Sequence, residues 1–125
     1  MRSAYCAVAF TLNASCTTHD EKRGLALIAY EGGQHLTGFY GAENNQTMEQ
    51  IFHAANRHLR MKQIYLDYLA GWKQAGGTMF VIFSSMGKYS KWGSWGLMEY
   101  HGQPENSAPK YQAVIEFIEK DPRWW

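Results

Sequence analysis

The chain has 125 residues, enough for one domain with a sizeable core, and its 12 basic and 11 acidic side chains give a net charge of +1. Without a run of either sign it lacks the positive field that nucleic-acid binding or adhesion to anionic membranes requires. Five Trp, eight Tyr and six Phe exceed the needs of so small a core, which indicates rings left over for a binding surface.

Residues 1–23 form the least interpretable stretch of the sequence, and the segment 4–12 is predicted to be either a strand or a buried helix end. Arg2 followed by this short apolar run has the outline of a secretory signal peptide, so export to the periplasm or beyond stays open. The run is too short to span a membrane. Cys6 and Cys16 are too few for a disulfide framework; we expect free thiols, although the two could pair if the segment folds back.

The next segment, residues 25–36, has the sequence LALIAYEGGQHL. Its uncharged run, bounded by glycines, predicts a parallel strand buried on both faces. Glu31 then lies at the carboxyl end of the strand, where α/β proteins bind their ligands, and the glycines after it leave room for a substrate. We predict a functional carboxylate at Glu31, with Gln34 and His35 as substrate-binding neighbours. A plain surface glutamate is the alternative.

Helices are predicted on both sides of a second strand. Thr47, with Gln50 three residues later, predicts the start of a helix through a capping box, and apolar residues at helical spacing predict another over 61–72. Residues 78–83, TMFVIF, predict a second buried strand, and Ser107 is expected to begin a last helix. The order strand, helices, strand, helix is typical of a parallel α/β fold.

A long aromatic segment, residues 88–100, follows the second strand and has the sequence KYSKWGSWGLMEY. We expect it at the same rim of the sheet as Glu31. Glycines between its tryptophans keep neighbouring side chains off the ring faces, and exposed indoles beside polar groups suit sugars. The predicted substrate-binding rings are Tyr89, Trp92, Trp95 and Tyr100. The alternative is a loop that packs its aromatic rings beneath itself.

Glu99 is the second candidate catalytic carboxylate. Two carboxylates could hydrolyse a glycosidic bond at a separation of about 5–5.5 Å for retention or about 6.5–9.5 Å for inversion. A solvated acid, or an ion-pair partner of Lys88 or Lys91, is the alternative. His53 and His58 have no ligand at the spacing of a metal site, and no phosphate loop or nucleophile elbow is present. We therefore predict neither a metal nor a cofactor.

Four segments carry a resemblance to a known family: YEGGQHL, ANRHLRMKQIYLDYLAGWKQAGG, FVIFSSMGKYSKWGSWGLMEY and PKYQAVIEFI. They resemble the C-terminal quarter of bacterial TIM-barrel proteins that are similar to glycoside hydrolases and are often labelled cellulose-binding or cellulase-like. The resemblance, from Gly24 to about Ile118, implies strands seven and eight of such a barrel. It also implies that Glu31 is the nucleophile. The acid/base glutamate of strand four has no counterpart here, and residues 1–23 fit the family poorly.

The expected fold is therefore a partial (β/α) barrel-type parallel sheet over residues 24–125, with two or three strands per chain. A barrel closes with eight strands, and a two-stranded piece leaves edges and faces exposed. We expect several copies to assemble and complete the sheet as a homo-oligomer.

Two functions follow from these predictions, both with a polysaccharide or oligosaccharide as partner. The first is hydrolysis of a β-linked glucan or glucoside, with Glu31 as nucleophile and Glu99, or a carboxylate of another subunit, as acid. The second is a non-catalytic carbohydrate-binding or cellulose-binding module that uses the exposed Trp and Tyr rings. A truncated barrel that only self-associates is a third alternative.

Overall fold

The computed structural model describes residues 24–120 and Arg123. Among these residues, two strands alternate with three α-helices, which confirms the α/β class, and they contain no third strand. The predictions for residues 1–23, including the thiols, lie outside the described residues. The elements are β1 (Leu27–Gly32), α1 (Gln46–Arg57), α2 (Arg60–Gln74), β2 (Gly77–Ile82) and α3 (Pro109–Lys120), with 3₁₀ turns at Ala42–Asn44 and Glu105–Ser107.

The two strands form a parallel sheet in which Leu27 lies opposite Gly77 and Gly32 opposite Ile82. A parallel pair needs a long crossover, and α1 and α2 supply it. The carboxyl ends of both strands therefore lie at the same edge of the sheet. β1 runs through Glu31 to Gly32. Glu31 therefore belongs to the carboxyl end of the strand, which is where the sequence predicted it.

One face of the sheet is covered by α2, and α3 packs against α2. Leu27 and Ala29 of β1 pack with the buried indole of Trp72 in α2, and the ring of Phe80 in β2 borders this cluster. A second cluster joins the helices to the aromatic segment and contains Met61, Tyr65, Leu97 and Ala113. Because Leu97 lies in the segment after β2, that segment is anchored in the same core as the helices.

The opposite face of the sheet is not covered by described residues. Four of its apolar side chains are each more than two-fifths exposed: Tyr30, Met79, Val81 and Phe83. The predictions that the first strand is buried on both faces and that residues 78–83 form a second buried strand are therefore wrong for the described residues. An apolar run in the sequence indicates that a strand is buried, but it does not show whether other elements cover both of its faces. Here the described helices pack on only one side of a narrow sheet.

The helix ends differ by one or two residues from the predicted ones. Asn45, and not Thr47, is the N-cap of α1, because its Oδ1 accepts a hydrogen bond of 3.1 Å from the backbone N of Met48. α3 begins at Pro109, where the missing N–H costs nothing. Within the described stretch of the chain, no helix combines the length and the hydrophobicity needed to cross a membrane.

Candidate functional site

The segment after β1 and the segment after β2 are joined at the carboxyl edge of the sheet. Side chains of residues 34–37 bind backbone carbonyls of residues 91–94, so the two segments form one surface. The joining contacts are Thr37 Oγ1 to Lys91 O at 2.6 Å, Gln34 Nε2 to Ser94 O at 2.7 Å and His35 Nε2 to Trp92 O at 3.2 Å.

Three rings contact one another there, and a fourth, Trp92, is joined to them through its backbone carbonyl; we call these four residues the aromatic face: His35, Phe83, Trp92 and Trp95. The imidazole of His35 stacks on the indole of Trp95 with centroids 4.0 Å apart, and the ring of Phe83 meets Trp95 edge-on at 5.5 Å. Trp92 is 64% exposed, and the ammonium of Lys91 lies 4.7 Å from its ring centroid. A flat apolar ring is thus open to solvent beside polar groups.

Gly93 allows the stack of His35 on Trp95 to form. Its φ of +141° is one that L side chains rarely adopt. A Cβ at this position would lie 2.7 Å from Nε1 of Trp95 and 3.2 Å from Cδ2 of His35. Any larger residue would therefore have to displace one of the two stacked rings.

Gln34, predicted to bind substrate, is only 4% exposed and cannot reach a ligand from its position. Its amide nitrogen donates to Asn56 Oδ1 and to the carbonyl of Ser94, and its amide oxygen accepts from the backbone N of Leu36. This prediction is corrected by burial: the side chain joins β1, α1 and the aromatic segment and supports the aromatic face from beneath.

Lys110 of α3 is a central residue of the site that the sequence predictions missed. Its side chain is fully buried, and Nζ donates to Asn56 Oδ1 at 3.1 Å and to Ser94 O. The ammonium also lies 4.5 Å from the ring centroid of Tyr89. Burial lowers the pKa of Lys110 to about 7, and the negative charge of Glu99 opposes this shift.

A signal for Lys110 was present in the sequence. Ala113 and Phe117 follow it at intervals of three and seven residues and are both buried, so Lys110 occupies the apolar face of α3. A lysine at such a position needs hydrogen-bond acceptors inside the protein. The sequence alone could not show that they are supplied by residues 56 and 94.

Tyr89, also predicted to bind substrate, is buried, and two basic side chains contact its ring. The guanidinium of Arg57 lies 5.3 Å from the centroid of the Tyr89 ring, and the Nζ of Lys110 lies 4.5 Å from it. Burial raises the pKa of Tyr89, and the charge of Glu99 acts in the same direction. This prediction is corrected as well, because the ring packs between α1 and α3 and not against solvent.

Glu99 forms an ion pair, but with Arg57 and not with Lys88 or Lys91. Both carboxylate oxygens accept hydrogen bonds from the guanidinium, at 2.7 and 2.6 Å. The hydrogen bond to Glu99 raises the pKa of Arg57 further. Such a bidentate pair holds the end of the aromatic segment on α1.

Glu99 and Tyr100 are separated from the aromatic face. They line an open depression of about 450 Å³ with Arg57, Gln103 and Ser107, and no residue of the aromatic face lines it. Seven of the eight predicted site residues therefore divide into an exposed aromatic group, a buried supporting pair and a second polar depression, and Glu31 is the eighth.

Glu31 is exposed near the end of β1. Its carboxylate makes no hydrogen bond or ion pair with the described residues. The residue after it, Gly32, accepts a hydrogen bond of 2.9 Å from the backbone N of Phe83. The residue that follows Glu31 is thus bonded, backbone to backbone, to Phe83 of the aromatic face.

Among residues 24–120 and Arg123, no group of three or more His, Cys, Asp or Glu side chains could hold a metal ion. Comparison of the chain with protein-family models, with curated proteins and with solved structures found no match. The function is therefore argued from the side chains of the site.

Proposed function

We propose that this chain binds an oligosaccharide or polysaccharide, with β-linked glucan as the expected class, on the aromatic face. The observation that carries the proposal is the largely exposed indole of Trp92 beside the fixed stack of His35 on Trp95. A sugar ring offers a C–H face to an indole and hydroxyl groups to its neighbours. The ammonium of Lys91, which donates one hydrogen bond to Asn44 Oδ1, and the ring nitrogen of His35 that does not contact Trp92 O would serve as hydrogen-bond partners for such hydroxyls.

The rigidity of the aromatic segment also supports binding. Side chains of three residues bond its backbone carbonyls, and Leu97 anchors it in the core. A surface that is ordered before the ligand arrives loses little conformational entropy on binding. Two or three ordered rings at about 1 kcal/mol each are enough for a weak carbohydrate-binding module.

Binding without hydrolysis is the better supported form of this function. Hydrolysis needs a second carboxylate within about 10 Å of the first, whereas Glu99 is held by Arg57 and lines a different depression. Hydrolysis with Glu31 as nucleophile is a second candidate, favoured by its exposed carboxylate without a partner among the described residues. In that case the carboxylic acid that protonates the leaving group would come from another subunit.

Self-association into a larger, barrel-like sheet belongs to the same proposal. A two-stranded sheet is marginal alone, and the uncovered face presents four apolar side chains that include Val81 and Phe83. We propose a second copy of this chain as the occupant, because identical parallel strands can extend the sheet at its open edges. Phe83 belongs to both surfaces, so assembly would extend the aromatic face.

The test is calorimetric titration with a β-1,4-linked glucose hexamer, together with sedimentation on insoluble cellulose. We expect Trp92→Ala to weaken binding about five- to tenfold, because it removes the most exposed ring of the aromatic face. Leu59→Ala, which trims an exposed apolar side chain between α1 and α2, is the matched control and should bind like the unmodified chain. Equal affinities for both variants would contradict the proposal.

Glu31→Gln in the same titration, with an aryl β-glucoside assay added, separates the two candidates. A binding module shows no turnover, and the substitution changes affinity by less than threefold. A hydrolase shows turnover that falls by several orders of magnitude in Glu31→Gln while binding is retained. Glu105→Gln, at another exposed glutamate, is the control in both assays.

A further inference from the structure

A second concave surface lies where the C-terminal end of α1, the end of the aromatic segment and the turn before α3 meet. It is the open depression of about 450 Å³ that Arg57, Glu99 and Tyr100 line. This volume is within the range of small-molecule sites in proteins, about 300–1,000 Å³. No residue of the aromatic face lines the depression, so a ligand held there does not need the tryptophans.

A buried amide joins the walls of the depression. Gln103 is only 8% exposed, and its side-chain oxygen accepts a hydrogen bond of 2.6 Å from the backbone N of Glu99. Its side-chain nitrogen donates to the backbone oxygen and to the hydroxyl of Ser107, at 3.2 and 3.3 Å. Arg57 fastens α1 to the same wall through both oxygens of Glu99. Three segments are therefore fixed around the depression before a ligand arrives, which lowers the entropic cost of binding.

Three polar groups of the lining have no hydrogen-bond partner among the described residues. They are Nη1 of Arg57, whose Nε and Nη2 both donate to Glu99, the hydroxyl of Tyr100 and the side-chain amide of Asn106. The Arg57 side chain is 51% exposed, Tyr100 is 56% exposed, and Asn106 is also exposed. These groups can therefore bind a ligand without breaking a contact of the fold.

The charges of the lining cancel. Among the described residues that line the depression, Arg57 and Glu99 are the only charged ones, and they are paired with each other. An anionic ligand would have to compete with Glu99 for the guanidinium, and a cationic ligand with Arg57 for the carboxylate. A neutral ligand with several hydroxyl groups meets neither cost. The exposed ring of Tyr100 adds a flat apolar surface for the C–H face of a sugar.

We propose that the depression is a second carbohydrate subsite, which holds one or two neutral pyranose units of a β-linked glucan through Arg57, Tyr100 and Asn106. The inference rests on the proposed function for the class of ligand, and it adds a site that the aromatic face does not contain. Tyr100 then contacts a sugar, as the sequence predicted, but at a different place from the tryptophans.

The experiment is an NMR titration of the full chain with the β-1,4-linked glucose dimer. It follows the side-chain amide of Asn106, the backbone N–H of Tyr100 and the indole N–H of Trp92. We expect the Asn106 and Tyr100 resonances to shift with one common dissociation constant, both in the unmodified chain and in Trp92→Ala.

Substitutions in the depression test its contacts one at a time. Tyr100→Ala and Asn106→Ala should each weaken this binding about three- to tenfold, because each removes one contact with the sugar. His101→Ala is the matched control, since His101 is an exposed ring that follows Tyr100 and does not line the depression. Asn106→Ala keeps the inference testable if Tyr100→Ala fails to fold.

The outcomes separate this inference from the proposed function. Dimer binding that shifts only the indole resonance of Trp92 overturns the second subsite and leaves the proposed function standing. Shifts at Asn106 and Tyr100 with none at Trp92 support the second subsite and contradict binding on the aromatic face. A glucuronic acid–glucose dimer that binds the depression more tightly than the neutral dimer overturns the assignment of a neutral ligand.

Discussion

At the scale of single residues, exposure separates the side chains that can touch a ligand from those that only support them. Trp92 and His35 face solvent, whereas Gln34 and Tyr89, which belong to the same two segments, are buried. All four were predicted to bind substrate from residue type and position. The pattern identified the right segments but could not assign each side chain to the inside or the outside of a loop.

Gly93 is the residue at which the aromatic face is most easily disturbed. We expect Gly93→Ala to lower affinity for the β-1,4-linked glucose hexamer at least fivefold, since its Cβ would displace the ring of Trp95 or of His35. Gly102→Ala is the matched control: its φ of +78° is also positive, but a Cβ there meets no atom within 4 Å. Calorimetric titration and near-UV circular dichroism measure both variants. Equal losses would mean that backbone strain, and not ring displacement, is responsible.

At the scale of elements, the junction between α2 and β2 sets the position of the second strand. α2 ends at Gln74, and Gly76 adopts a left-handed φ of +78° that turns the chain into β2. Gly77 then passes directly over the indole of Trp72, which is buried against Leu27 and Ala29 of β1. The close approach of strand and helix therefore requires a residue without a side chain.

Gly77→Ala should destabilise the fold by about 2 kcal/mol, because overpacking a rigid core commonly costs this much. Its Cβ would lie 2.1 Å from the nearest ring atom of Trp72, a buried side chain. Urea unfolding followed by tryptophan fluorescence measures the change. Gly76→Ala, where a Cβ meets nothing within 4 Å, should cost only the strain of its φ, about 1 kcal/mol. A larger loss in Gly76→Ala than in Gly77→Ala would contradict the packing argument.

At the scale of the whole molecule, the described sheet lacks a second layer. α2 covers one face and α3 packs on α2, while the apolar side chains of the other face remain open among the described residues. Two strands cannot bury both faces by themselves, so a stable protein has to cover them by another means.

Light scattering should give a mass that is a multiple of the single-chain mass. Val81→Lys, which places a charge on the uncovered face, should shift the protein toward single chains and lower its thermal stability. Leu59→Lys introduces the same charge on the exposed junction of α1 and α2 and should leave the mass unchanged. A monomeric mass for the unmodified chain at tens of micromolar would exclude self-association.

The sequence by itself determined the α/β class, the two strands and the two segments after them, because apolar runs, helical spacing and glycine boundaries are local properties. Glu31 and the tryptophans were found from the same local signals. The tertiary structure alone decided which face of the sheet is open, that Glu99 pairs with Arg57, and that Lys110 lies beneath Ser94. These contacts join residues 16 to 54 positions apart, and no local pattern encodes which distant group meets a buried polar atom.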